Sequence, residues 1–349
     1  MTPEVSIVVV SHRTAAEAAL CIESLRRDLE SGGIAGQVVL VDCGSGPADV
    51  ERLRSAGADT FLPLPDNRGY SGGCNAGLER ATASRIVLSN SDVVYAPGTL
   101  VQLLGALEHG QVGAVAPLAF WDAAGRIRMP PGYGPGFLRD LGQLVAGRWP
   151  SLDRRRFAAF ARETLRLWDR GGDAPHLTGA VLATRRDVLD RTGLFDESFS
   201  FEFEETDWED RVRARGLKLR YLPSARVQHL YGRSAERNPE TRARRAAGAR
   251  LYRRRRYGAL GASLLASARH LARPVAATRL ERPRIAARAC AAVAISPNPS
   301  LLPFASAALS EDFELPAEVV PSLSSGSLYL RSFRTADGWP LETFVWDKP

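Results

Sequence analysis

The chain has 349 residues, 45% of them hydrophobic and 24% charged, an ordinary globular balance that excludes a wholly disordered or fibrous protein. Four scattered cysteines (Cys21, Cys43, Cys74 and Cys290), none in a C-x-x-C pair, exclude a disulfide framework and argue against structural zinc. No run of 18 apolar residues is present to span a bilayer as a helix. The net charge of +7 is unevenly placed, because residues 233–288 carry 16 arginines against three acids and the remainder is mildly acidic.

Residues 5–10 form a continuous apolar, β-branched run that predicts a strand covered on both faces. No basic stretch precedes it, so it reads as a buried strand and not as a signal peptide, and a reducing cytoplasm is the expected compartment. Residues 14–29 have helical spacing, with Leu20, Ile22, Leu25 and Leu29 as the expected inner stripe and Thr14 with Glu17 as a capping box. Strands are predicted at 37–41, 60–64, 85–88 and 112–116, and helices at 49–56, 70–81 and 97–108. This alternation implies an α/β fold, a mostly parallel sheet wrapped by helices, with ligands bound beyond the carboxyl ends of the strands.

The region 120–176 is less regular and reads as an insertion on the rim of the site, with a helix around 154–168. A strand at 181–184, a helix at 186–191 and strands at 218–222 and 225–229 follow. The basic segment reads as amphipathic helices with apolar positions at Leu260, Leu264, Leu265 and Leu271. The tail alternates polar and apolar residues over 327–333, turns at Asp337-Gly338 and continues over 344–346, the pattern of a hairpin.

Four groups of residues carry chemistry. Asn90-Ser91-Asp92 directly follows a strand, where a carboxylate can hold a divalent cation over a phosphate or simply cap a turn. The glycine-rich stretch 67–77 opens a helix whose free N–H groups suit a diphosphate, although a tight structural turn explains the glycines equally well. It is neither a Walker A loop nor a G-x-G-x-x-G fingerprint. The acidic cluster Glu204-Glu205-Thr206-Asp207-Trp208-Glu209-Asp210 is flanked by Phe201 and Phe203. A carboxylate beside aromatics is kept basic enough to abstract a proton, whereas on an open helix face it is merely solvated. His229 follows a strand and is either a metal ligand or an ordinary packed histidine.

The ordered set Val5-Ser6-Ile7-Val8-Val9-Val10-Ser11-His12-Arg13, Val41-Asp42-Cys43-Gly44-Ser45, the 67–77 stretch, Ser89-Asn90-Ser91-Asp92-Val93, Leu177-Thr178-Gly179-Ala180, Gly193-Leu194-Phe195-Asp196-Glu197-Ser198-Phe199, Glu205-Thr206-Asp207-Trp208 with Arg211, and His229 with Gly232 resembles the family 2 glycosyltransferases over about residues 4–234. Its flavour is that of rhamnosyltransferase-like bacterial members. The resemblance implies the GT-A fold, with Ser11, Arg13 and Asp42 at the base and ribose, and Asn67, Gly69, Gly73, Asn75 and Asn90 near the base and diphosphate. It places Asp92 and His229 on a divalent metal (Mg or Mn) and Glu205 as general base. Thr178, Gly179, Glu204 and Trp208 fall where donor sugar and acceptor meet. Asn90 stands where a stricter D-x-D has its first carboxylate, and Glu204 beside Glu205 leaves the identity of the base open.

The expected organisation is a catalytic domain over 1–232 (nucleotide-binding half 1–118, acceptor half 119–232), a basic helical segment over 233–295 and a tail over 296–349. The expected activity is inverting transfer from a dTDP- or UDP-linked donor, dTDP-rhamnose foremost, to a glycan, lipid-linked, small-molecule or peptide acceptor. A sugar-nucleotide nucleotidyltransferase and a non-catalytic nucleotide-sugar-binding scaffold are the rival classes. The basic segment reads either as helices packed with a solvated face or as a peripheral contact with the inner face of the membrane. Nucleic acid is not an expected partner, since no recognition motif accompanies the charge. The tail hairpin is expected to form a homodimer contact or to border the acceptor groove.

Overall fold

Runs of β-branched residues without alternation must be covered on both sides, and the computed structural model of the chain covers them with helices. It describes residues 2–199, 201–230, 239–323 and 326–348; Gly232 and the start of the basic segment, with Arg233 and Arg237, lie outside the described residues. Two compact units form: Met1–Ala119 with Gly171–Tyr252, and Phe120–Arg170 with Arg253–Pro349.

In chain order the first unit runs β1 (Val5–Ser11), α1 (Ala15–Gly32), β2 (Gly36–Cys43), α2 (Pro47–Arg54), β3 (Thr60–Leu64), α3 (Gly69–Leu78), β4 (Arg85–Asn90), β5 (Val93–Tyr95), α4 (Thr99–Leu107) and β6 (Val112–Phe120). The chain then enters the second unit through α5 (Phe137–Val145) and α6 (Pro150–Arg170). It returns with β7 (Gly172–Asp173), β8 (Val181–Arg185), α7 (Arg186–Thr192), α8 (Glu204–Ala214), β9 (Lys218–His229) and the start of α9 (Pro239–Ala268), which passes into the second unit after Tyr252 and is broken at Gly258 by φ 70° and ψ 176°.

Among the described residues the central sheet has nine strands, in the order β3-β2-β1-β4-β8-β6-β9-β5 with β7 on β9. Strands β3, β2, β1 and β4 are parallel, so their carboxyl ends share one edge. β8 is antiparallel to both β4 and β6, and β5 is antiparallel to β9. The expected pair of strands at 218–222 and 225–229 is a single strand, β9, of 12 residues.

Two local expectations fail in α1. Its inner face is Ala18, Cys21, Ile22, Leu25 and Leu29, while Leu20 is half exposed. The Thr14 hydroxyl does not cap α1, because it is hydrogen-bonded to Ser11 (3.0 Å) and Ser91 (2.7 Å).

The glycines of α3 have a packing role. A Cβ on Gly73 would lie 2.8 Å from Cys43 Sγ and 2.5 Å from Val10 Cγ1, and one on Gly77 would overlap Val8 Cγ1. Spaced four apart, they form one face that lets the helix backbone lie directly on β1 and β2. Gly77→Ala is expected to push α3 off the sheet and cost about 1–3 kcal/mol, read as a lower urea midpoint at unchanged slope.

In the second unit β10 (Thr278–Leu280), β12 (Ala291–Ser296), β13 (Ala305–Ala308), β15 (Ser327–Arg334) and β16 (Pro340–Asp347) form a sheet in the order β10-β16-β15-β12-β13; β11 (Arg284–Ile285) pairs with β14 (Phe313–Glu314). The hairpin expected in the tail is β15–β16, and β12 and β10 flank it. Phe157 of α6 stacks on Phe304 (5.1 Å) and meets Phe333 edge-on (5.5 Å), with Phe160 and Trp168 closing the aromatic core. Arg331 is buried there, paired with Asp153 at 2.8 Å.

Residues 120–170 group with 253–349, and their aromatic residues pack on the tail. The basic segment is helical only to Leu271 and then supplies strands β10 to β12.

Candidate active site

The tips of the four parallel strands are tied to one another. Gly44, with φ +67°, backs onto the Asp66–Asn67 backbone so closely that a Cβ would lie 2.7 Å away. The Ser45 hydroxyl donates to Asp42 Oδ1 (2.5 Å) and accepts from the Arg13 backbone N–H (2.8 Å). The next link is Thr14, between Ser11 and Ser91. Four loops thus form one rim by side-chain contacts the sequence does not announce.

Several predicted site residues take part in building this rim. Ser11 and Asp42 are buried, and both Asp42 oxygens are taken by Ser45. Asn67 Oδ1 accepts the Gly69 N–H (2.9 Å), which fixes the φ +72° turn that starts α3. The Asn75 amide is spent on the Phe195 main chain (2.9 and 3.1 Å) and on Glu197 (3.0 Å), so it anchors the 193–199 loop. Trp208 is fully buried, its indole N–H donating to Thr192 (3.0 Å) and its ring 5.6 Å from Phe195. Gly73 is committed to α3 packing, as described above. Arg13 is exposed at the rim, and Asn67, Asn90, Thr178, Gly179 and Glu205 keep partial exposure.

Asp92 and His229 are brought together. Strand pairing sets Val93 opposite His229, the Leu230 N–H donates to the Asp92 carbonyl (2.8 Å), and His229 Nε2 lies 3.2 Å from Asp92 Oδ1. Both side chains are nearly buried. A carboxylate with one imidazole suits a Mg²⁺ or Mn²⁺ that takes few protein ligands and completes its shell with phosphate oxygens and water. Among the described residues no group of three or more His, Cys, Asp or Glu forms a fuller cage.

The acidic cluster opens α8. Glu202 (φ 59°) and Phe203 (φ 75°) are consecutive left-handed residues just before it, a strained turn that costs of order 1–3 kcal/mol per residue. The first part of α9 clamps that turn. Arg245 pairs with Glu202 (2.8 Å), Tyr252 stacks on Phe203 (5.4 Å) and also donates to Asp210 (2.8 Å).

The strain sets two adjacent carboxyls in different surroundings. Glu204 is buried, its Oε2 has no hydrogen-bond partner, and loss of hydration pushes it well above the usual carboxylate range. Glu205 is partly exposed, packed on Gly179, where an added Cβ would lie 3.1 Å from its Cγ. Loss of hydration raises Glu205 to about 7, with His176 pulling it down and Glu209 pushing it up.

His176 and Glu209, which sequence reading did not single out as site groups, act on the Glu205 carboxyl. They form a buried ion pair, and Glu209 also accepts the Leu177 N–H (3.1 Å). The only sequence signal was an acid inside an already acidic helix and a histidine 33 positions away, paired by tertiary contact alone. Tyr70, likewise unassigned, donates to the Gly179 carbonyl (3.2 Å).

The two halves of the site are adjacent in the sheet. Asn90 N–H donates to the Ala180 carbonyl (2.9 Å), next to the Gly179 that packs on Glu205. A cation-suited pair and a raised carboxyl thus flank one β4–β8 junction, an arrangement for transfer chemistry at a phosphate-bearing ligand.

Residues 47–252 match the family model described as glycosyltransferase like family 2. The chain belongs to this family of glycosyltransferases, and its helix-flanked central sheet is the GT-A architecture. No curated protein matches it in sequence. Among solved structures it is similar to GalNAc-T7 with UDP, GalNAc and Mn²⁺, at 16% identity and a TM-score of 0.47 over 66% of this chain and 44% of that one. It is also similar to the mannosyltransferase PcManGT from Pyrobaculum calidifontis in complex with GDP-Man and Mn²⁺, at 16% identity and a TM-score of 0.45 over 77% and 75%. The chain thus spans less than half the length of the GalNAc-T7 chain.

Proposed function

We propose that the protein transfers a sugar from a nucleoside-diphosphate donor to an acceptor hydroxyl with inversion at the anomeric carbon. The observation that carries the reading is the continuity from the Asp92–His229 pair through Asn90, Ala180 and Gly179 to Glu205.

Glu205 takes the proton of the acceptor hydroxyl as that oxygen bonds to the anomeric carbon. The bond from that carbon to the diphosphate oxygen breaks, and its electron pair leaves with the nucleoside diphosphate. A single displacement inverts the centre. Asp92 and His229 would hold a divalent cation, which supplies charge neutralisation for the departing diphosphate. Arg13 and the partly exposed Asn67 and Asn90 are the rim groups open to the nucleotide. dTDP-rhamnose is the first donor to test and UDP-sugars the second, with glycan, lipid-linked, small-molecule and peptide hydroxyls as acceptors.

The test is a panel of sugar nucleotides assayed for transfer and donor hydrolysis with and without Mn²⁺. Turnover of at least one donor supports the reading, and inertness to all of them, with no nucleotide-induced thermal shift, rejects it. Asp92→Ala is expected to weaken Mn²⁺-dependent nucleoside-diphosphate binding by at least tenfold, about 1.4 kcal/mol, in calorimetry. An unchanged titration removes Asp92 from the metal site.

A further inference from the structure

The three most exposed large apolar side chains among the described residues are Leu260 (84%), Leu138 (81%) and Leu264 (61%), with Trp149 next at 52%. All four belong to the second unit. Local packing brings their segments alongside one another. Phe137 lies edge-on to Tyr257 at 5.8 Å, and an added Cβ on Gly261 would lie 3.6 Å from the same ring. Farther along, Gly147 rests on the Arg273 main chain, and Arg148 Nε donates to the Leu271 carbonyl (3.3 Å). α5 and the turn after it therefore lie along residues 257–273. Leu260 and Leu264, four apart on a helix, share its outer face, while Leu265 and Ala268 turn inward.

These two segments expose basic residues. Arg148, Arg254, Arg255, Arg256, Arg269 and Arg273 are exposed. No acid occurs from 254 to 273, and the only acid in 137–149, Asp140, is buried and paired with Arg253 at 3.1 Å.

We propose that this face docks on the surface of an anionic lipid bilayer. The three leucines and Trp149 enter the boundary between headgroups and acyl chains, and the arginines meet the lipid phosphates. Apolar area and positive charge reinforce each other there, since neither alone holds a protein firmly at a membrane. A second copy of the chain is the poorer occupant, because a two-fold contact through this face sets the same arginines against one another. No helix among the described residues is long and apolar enough to cross a membrane, so the contact is peripheral.

The test is co-sedimentation of the full chain with vesicles of phosphatidylcholine alone or mixed with phosphatidylglycerol, at low and high salt. The expected result is binding to the anionic vesicles that high salt weakens. Arg254→Ser/Arg269→Ser/Arg273→Ser is expected to lower partitioning on the order of a hundredfold. Leu260→Ser/Leu264→Ser is expected to lower it at least about tenfold. Both variants alter exposed side chains, and an unchanged thermal midpoint verifies their fold. Equal binding to neutral and anionic vesicles, no sedimentation, or full binding by the leucine variant overturns the proposal. So does a concentration-dependent dimer that the leucine variant dissolves in a chain that binds no vesicles, which assigns the face to self-association.

Discussion

Glu205→Gln is expected to lower transfer by about 10²–10⁴-fold while leaving nucleotide-induced thermal stabilisation intact. Glutamine keeps the shape of the side chain and its contact with Gly179, and loses only the ability to accept a proton. The pH profile separates this cause from a disturbed fold. A base held near 7 is ionised above that value, so the wild-type rate rises through about pH 7 and levels, and the variant lacks that limb. Stability runs the other way. The folded state holds the Glu205 proton more tightly than the unfolded state, whose ordinary value is 4.5, so stability declines as pH rises from there to about 7. The glutamine variant should lose that part of the decline. Glu204 is the adjacent rival, and its deeper burial pushes its carboxyl well above the usual range. Near-normal turnover in Glu205→Gln, with a preserved acid limb, removes Glu205 from the role.

The parallel half of the fold was readable because its signals are local. Residues 5–10, 37–41 and 85–88 lack alternation, which already requires cover on both faces and places their polar ends on one edge. The proximity of the candidate residues was readable to the extent that it follows from that edge. Asp92 and His229 do meet. What escaped depends on contacts between distant segments. The contacts of Asp42 with Ser45, and of Asn75 with the Phe195 main chain, leave no trace in the local sequence. The glycines of α3 left a structural and a diphosphate reading open because closeness to a sheet and closeness to a ligand leave the same trace in a sequence. The grouping of 120–170 with the tail rests on Phe157 meeting Phe304 and Phe333, a pairing no local pattern encodes.

Glu209→Ala is expected to cost about 3–5 kcal/mol of stability, the loss that follows when one member of a buried ion pair is removed and the other is left behind. The Leu177 N–H loses its acceptor in the same change. Burial opposes the charge on His176, but attraction to Glu209, their hydrogen bond and the nearby Glu205 outweigh it and hold His176 above its ordinary 6.5. Burial likewise raises Glu209, against the pull of His176. Burial of each member thus opposes its charge, and both upward shifts favour keeping a proton in the contact between them. His176 therefore contributes stability that is complete below pH 6.5 and lost as pH rises past its raised value. Glu209→Gln keeps an acceptor for Leu177 and should cost less than alanine. A double variant, His176→Phe/Glu209→Leu, leaves no orphaned charge and should recover part of the loss, and that recovery measures the pair in a double-mutant cycle. The pair also holds residues 176–179, the turn on which Glu205 rests, so its disruption should reach the reaction. In Glu209→Gln the acid limb of the rate should move upward in pH, because the His176 charge that Glu209 sustains, the stronger pull on Glu205, is lost while the turn is kept. A destabilised variant whose limb stays in place confines Glu209 to structure.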